Sequence, residues 1–118
     1  MAKTNIVGWQ GPPDQTQTYT TSADMSTAAA ISPAPETGKK LLVDGVTIGI
    51  GSVAGEWFLQ EETSATVFAS GFGAANSTVH LPYAAMGLKF KLAVADKKLF
   101  GKGPAGNIRF TVWNRSET

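Results

Sequence analysis

The stretch "GKKLLVDGVTIGIG", residues 38–51, decides the fold. Val46, Ile48 and Ile50 fall on one side of an extended chain, with Thr47 and Gly49 on the other. β-Branched residues alternating at a period of two with small or polar ones are what a half-buried strand needs. The glycines leave room for a close neighbour or a bulge.

The same period recurs on both sides of this stretch. "GEWFLQEE" (55–62) alternates Trp57 and Leu59 with Phe58 and Gln60, and "ATVFASGFG" (65–73) follows after Glu61-Glu62-Thr63-Ser64. The pair reads as a hairpin with a four-residue loop. "NSTVHLPY" (76–83) is a further strand, stopped by Pro82. "GLKFKLAVA" (87–95) has the cleanest alternation of all, with Leu88, Phe90, Leu92 and Val94 on one face and Lys89 and Lys91 on the other. "DKKLFGKGPAG" (96–106) reads as a long turn, and "NIRFTVWNR" (107–115) as a closing strand that turns Ile108, Phe110 and Val112 one way. Upstream, "ADMSTAAAISP" (23–33) mixes alanines with Thr and Ser before Pro33 and Pro35; it is expected to be extended. Six or seven short strands about ten residues apart, with no amphipathic helix, predict an all-β fold, an antiparallel β-sandwich or barrel. Residues 22–118 make this single domain, and residues 1–21 an extended N-terminal arm.

Composition narrows the chemistry. The 118 residues suffice for one cored domain. With no cysteine there is no disulfide, thiolate nucleophile or cysteine-held zinc, and the lone histidine, His80, rules out a histidine-rich metal site. No cofactor is expected. The net charge is +1 with 16% charged residues, so the basic stripe of a nucleic-acid binder is missing. A chain so poor in charge often covers part of its surface with a partner. No apolar run approaches the roughly 20 residues that cross a bilayer. The start, "MAKTNIVGWQGPPD", lacks the apolar core of a signal peptide, so the protein is expected to be made in the cytoplasm and to work there or within a larger particle.

Catalytic motifs do not assemble. His80 is the sole candidate base, and period two puts it on the side of its strand opposite Val79 and Leu81, toward solvent or an interface. Glu61 and Glu62 are adjacent, so they point apart or sit in a turn and cannot flank one bond. "GKGPAG" (101–106) lacks the Lys-Ser/Thr ending and the helix of a phosphate loop. Asn76-Ser77-Thr78 and Asn114-Arg115-Ser116 match the glycosylation sequon; with no secretion signal expected, both matches are expected to be accidental. Lys89, Lys91, Lys97, Lys98, Lys102 and Arg109 with Phe100 and Trp113 have the residue types for single-stranded nucleic acid, but the lysines at 89 and 91 are already explained as one strand's outer face.

The aromatic residues say more. Trp57, Phe58, Phe68, Phe72, Phe90 and Phe110 lie in strands, where core packing is the default. Trp9 and Tyr19 lie in the arm, "IVGWQGPPDQTQTYTT", whose Gly8, Gly11, Pro12 and Pro13 forbid a regular helix. Trp9, Pro12, Pro13 and Tyr19 are therefore the candidate partner-binding residues. Trp9 either folds back on its own domain or anchors the arm on another subunit, since one indole buries much area at low entropy cost.

The layout resembles the small head-decoration (cement) proteins of tailed bacteriophages, and related β-rich virion proteins. A Thr/Ala-rich entry leads through "APETGKKLLVDGVTIGIG" into a β-core. The hairpin "GEWFLQEETSATVFASG" follows, then the Leu-Pro step in "STVHLPYAAMGLKFKLAV", a Gly-rich loop and the final strand "GNIRFTVWN". The resemblance covers nearly the whole chain. It implies a jelly-roll or related sandwich, a homotrimer on the outer capsid surface, and a role in clamping neighbouring copies of the major capsid protein against internal DNA pressure. It implies no catalytic residue, membrane or direct nucleic-acid contact, and gives the arm around Trp9 the task of reaching a neighbour. The alternative is a tail or fibre β-domain that binds a host glycan or surface protein through Phe72, Tyr83, Phe100 or Trp113. Glycan binding by the isolated domain discriminates the two.

Overall fold

The computed structural model describes residues 16–62 and 66–118. Among these there is no helix, and the strands are β1 (Gln17–Asp24), β2 (Ala29–Ala30), β3 (Lys40–Gly49), β4 (Gly55–Glu61), β5 (Val67–Gly73), β6 (Thr78–Leu81), β7 (Phe90–Lys91), β8 (Leu99–Lys102) and β9 (Asn107–Glu117). They build two antiparallel sheets. The first runs β1-β9-β3-β6, with β7 pairing the same strand β3; the second runs β2-β8-β4-β5. Their inner faces enclose the core of a β-sandwich.

β3 is the middle of the first sheet, and its sequence contains a change of phase. Leu41 and Val43 face the core from odd positions, Val46 and Ile48 from even ones, and all four are buried. The register to β9 shifts between Val43 and Gly45, so Asp44 is an extra, bulged residue. The bulge keeps the apolar side inward over the whole strand. β9 continues its alternation past Val112 into Asn114 and Ser116, which are buried yet polar. Both are satisfied: the Asn114 amide donates to the Val112 carbonyl at 3.2 Å, and the Ser116 hydroxyl accepts from the Glu36 N–H at 2.7 Å. From the second sheet Trp57, Leu59 and Leu99 close over Ile48, Ile108 and Phe110, with Met25, Ile31 and Leu92 filling in from the connections.

Several expectations need correction. The alternation at 87–95 yields only the two-residue β7. Leu92 is buried, but Leu88 and Val94 are 55% and 44% exposed. The chain is turned at Gly87 (φ 74°) and Asp96 (φ 65°), so it cannot run straight along β3. Conversely, the supposed long turn at 96–106 contains a true strand, β8, between β2 and β4. Gly101 at its centre is no turn residue: a Cβ there would stand 2.9 Å from Ile31 and 3.0 Å from the Phe110 ring. The arm cannot extend to residue 21, because β1 starts at Gln17 and pairs along its whole length with β9. Within 23–33 the strand pairing is confined to Ala23 and Asp24, the end of β1, and to Ala29–Ala30. Phe72 leaves the core altogether and is 70% exposed.

Candidate interaction surfaces

Trp9, Pro12 and Pro13 lie outside the described residues. Tyr19 lies in β1 opposite Val112, which places it on the core-facing side of an edge strand, where it stays 40% exposed. The structure thus separates Tyr19 from the arm it was grouped with.

The outer face of the first sheet carries a ring-lined hollow. Trp113 of β9 faces outward between Thr18 and Gly45. Its ring lies over Gly45, where an added Cβ would come within 3.6 Å of Cε3. His80 meets the indole edge-on, with centroids 6.2 Å apart and planes at 87°. The histidine ring is held from the side by Thr47, whose hydroxyl is 2.8 Å from Nδ1. A cavity of about 270 Å³ opens here between Trp113, His80, Pro82, Ala84 and Thr16. Its polar rim is already engaged: the Thr16 hydroxyl donates to Asp44 at 2.6 Å, and the Arg115 guanidinium pairs with the same carboxylate at 3.5 Å. His80 is exposed, as period two predicts, and its ring contacts are Thr47 and Trp113 rather than a nucleophile.

The outer face of the second sheet is different. The register sets Phe72 beside Glu56, Phe58 between Ser70 and Lys102, and Phe100 beside Gln60. Three phenylalanines therefore step diagonally across β5, β4 and β8, with the Lys102 ammonium 5.9 Å above the Phe58 ring. Phe72 and Phe100 share this face, whereas Trp113 lies on the opposite sheet and Tyr83 packs at the side of the sandwich, 5.0 Å from Phe90. The four rings proposed for a glycan site do not form one platform. Phe58 belongs to the patch instead, and the signal for it was its place at even phase beside Trp57 and Leu59.

Among the described residues no group of three His, Cys, Asp or Glu side chains is close enough to hold a metal ion. The acidic groups act as ties. Asp24 accepts from the Ser26 hydroxyl at 2.7 Å, the Ser26 N–H at 2.9 Å and the Gly106 N–H at 3.4 Å, and these bonds, the hydroxyl first, hold its carboxyl below the usual range. Glu117 is held down likewise by hydrogen bonds from Lys89 and Lys91. Glu62, expected at a solvated tip, accepts from the Lys98 N–H at 2.9 Å. Burial pushes the Tyr83 hydroxyl up. No protein-family model matches the chain, and no curated protein or solved structure does.

Proposed function

We propose that the protein is a structural virion component, a jelly-roll decoration protein that bridges neighbouring capsomers of a bacteriophage capsid as a homotrimer. The strand order carries this reading. With the two-residue β7 set aside, eight strands remain, ordered 1-9-3-6 in one sheet and 2-8-4-5 in the other. The ribbon β1–β2 lies against β9–β8, and β3–β4 against β6–β5, which is the wrapping of a double Greek key. This scaffold presents two broad outer faces, and both display rings rather than reactive groups. The hollow at Trp113 offers apolar area whose polar rim is satisfied internally, which suits attachment to another protein.

A tail or fibre β-domain is the second reading, favoured by the diagonal of Phe72, Phe58 and Phe100 with Glu56, Gln60 and Lys102 between them. The test is sedimentation of the purified chain with assembled shells of the major capsid protein from the same phage. Saturable co-sedimentation with shells, reduced by Trp113→Ala, is expected. No binding to shells, together with saturable glycan binding lost in Phe72→Ala, would replace the first reading by the second.

A further inference from the structure

Between Glu62 and Lys89 the sequence contains no Asp, Glu, Lys or Arg; all ten basic and nine acidic residues lie outside 63–88. At the chain's average of 16% a run of this length would hold about four. The fold collects the run on one side of the sandwich. β5 ends the second sheet and β6 ends the first. The two edges are brought together by rings, since Phe68 of β5 meets Phe90 of β7 at 5.2 Å and Phe90 meets Tyr83 at 5.0 Å. On this side Val67, Phe72, Met86 and Leu88 are 49%, 70%, 56% and 55% exposed. A groove of about 300 Å³ runs between Phe68, Tyr83, Leu88 and Phe90, with Lys89 at its rim tied to Glu117 of the same chain at 2.6 Å.

An edge strand offers a row of backbone donors and acceptors, and soluble proteins guard such edges with lysine or proline. β5 has neither over its seven residues. We propose that the side built by this charge-free run is where copies of the chain meet. Around the axis of a closed oligomer the equivalent groups of all copies converge, so any ionic side chain near that axis would lie near its like. Apolar side chains and neutral backbone edges carry no such cost, and the lysine at the groove, Lys89, is already paired with Glu117 of its own chain. The size is adequate: the smallest side of a body of 43 × 32 × 25 Å is roughly 800 Å², the area a standard interface takes from each partner. The placement rests on the homo-oligomer of the proposed function.

Light scattering and sedimentation of the full chain over a range of concentrations test it, with Val67→Lys/Phe72→Lys and Leu88→Lys as variants. Val53→Lys, exposed in the β3–β4 connection outside the run, is the control. The wild type is expected to exceed its monomer mass of 12.4 kDa. The variants are expected to weaken self-association at least tenfold with an unchanged circular dichroism spectrum, and the control to leave it as it was. If one variant fails to fold, the other gives the reading. A wild type that stays monomeric sinks both the placement and the oligomer. A wild-type oligomer that both folded variants retain sinks the placement alone.

Discussion

Gly103→Ala is a close test of how the two sheets fit. A Cβ at Gly103 would stand 2.6 Å from Cδ1 of Ile108, but at ordinary distances of 3.7 and 3.8 Å from its Cγ2 and Cγ1. The conflict is with one methyl group. Ile108 is 1% exposed and has little room to turn away, and the Gly103 N–H is tied to the Met25 carbonyl at 2.9 Å. Overpacking of this kind costs about 1–3 kcal/mol. Ile108→Val removes only Cδ1 and by itself costs about 0.5–1.5 kcal/mol. In the double variant the alanine methyl takes the vacated space, so its cost falls below the sum of the two by about 1–3 kcal/mol. The entropy lost from the unfolded chain on Gly→Ala, about 0.4–1 kcal/mol, is the same in both backgrounds and cancels. Urea unfolding of the four proteins, followed by circular dichroism, measures the coupling. Additivity within about 0.5 kcal/mol would refute the packing of this loop on β9.

The arm and the pH response give further expectations. Removal of residues 1–15 leaves every described strand whole, so thermal unfolding stays near wild type while attachment is lost; removal of residues 1–21 takes most of β1 off β9 and lowers the midpoint by several degrees. Trp9→Ala is expected to weaken attachment by more than about 1 kcal/mol per subunit; an unchanged dissociation rate speaks against it. Asp24 and Glu117 bind protons less readily folded than unfolded. Their stabilisation is therefore complete above ordinary carboxyl values and is lost as pH falls through the lower folded values. The melting temperature should hold from pH 7 to about 5 and drop below about 4, less steeply in Asp24→Asn/Glu117→Gln; an identical slope in that variant would exclude these two groups.

The strands legible in the sequence are those whose two faces meet different surroundings. β3 and β9 each bury one face in the core, so Val46, Ile48, Ile108, Phe110 and Val112 announce them. β8 was hidden because Gly101, read as a turn residue, is instead the only residue small enough to pass between Ile31 and Phe110. The stretch 87–95 misled for the opposite reason. Its alternation is real, but Leu88 and Val94 serve no core, and between the turns at Gly87 and Asp96 only Phe90 and Lys91 form strand with β3, followed by one bond from the Leu92 N–H to the Leu41 carbonyl. The surfaces were less legible than the fold. A single strand cannot reveal that Phe58, Phe72 and Phe100 come together, because that depends on the register of three strands. The charge-free run was readable from composition taken in windows rather than over the whole chain.

The order of the first sheet has a consequence for how the protein is made. β9 separates β1 from β3 and is their common neighbour, with Thr20 and Thr47 both opposite Thr111. It follows all the other strands in the chain. During synthesis β1 and β3 have no partner strand between them, and the apolar side of β3 waits for Ile108, Phe110 and Val112 to emerge. Pairings this distant in sequence close slowly and leave sticky intermediates exposed. Folding of this sheet is therefore expected to complete only after β9 has left the ribosome, so a ribosome-bound chain halted before Asn107 should remain sensitive to protease however long it is held.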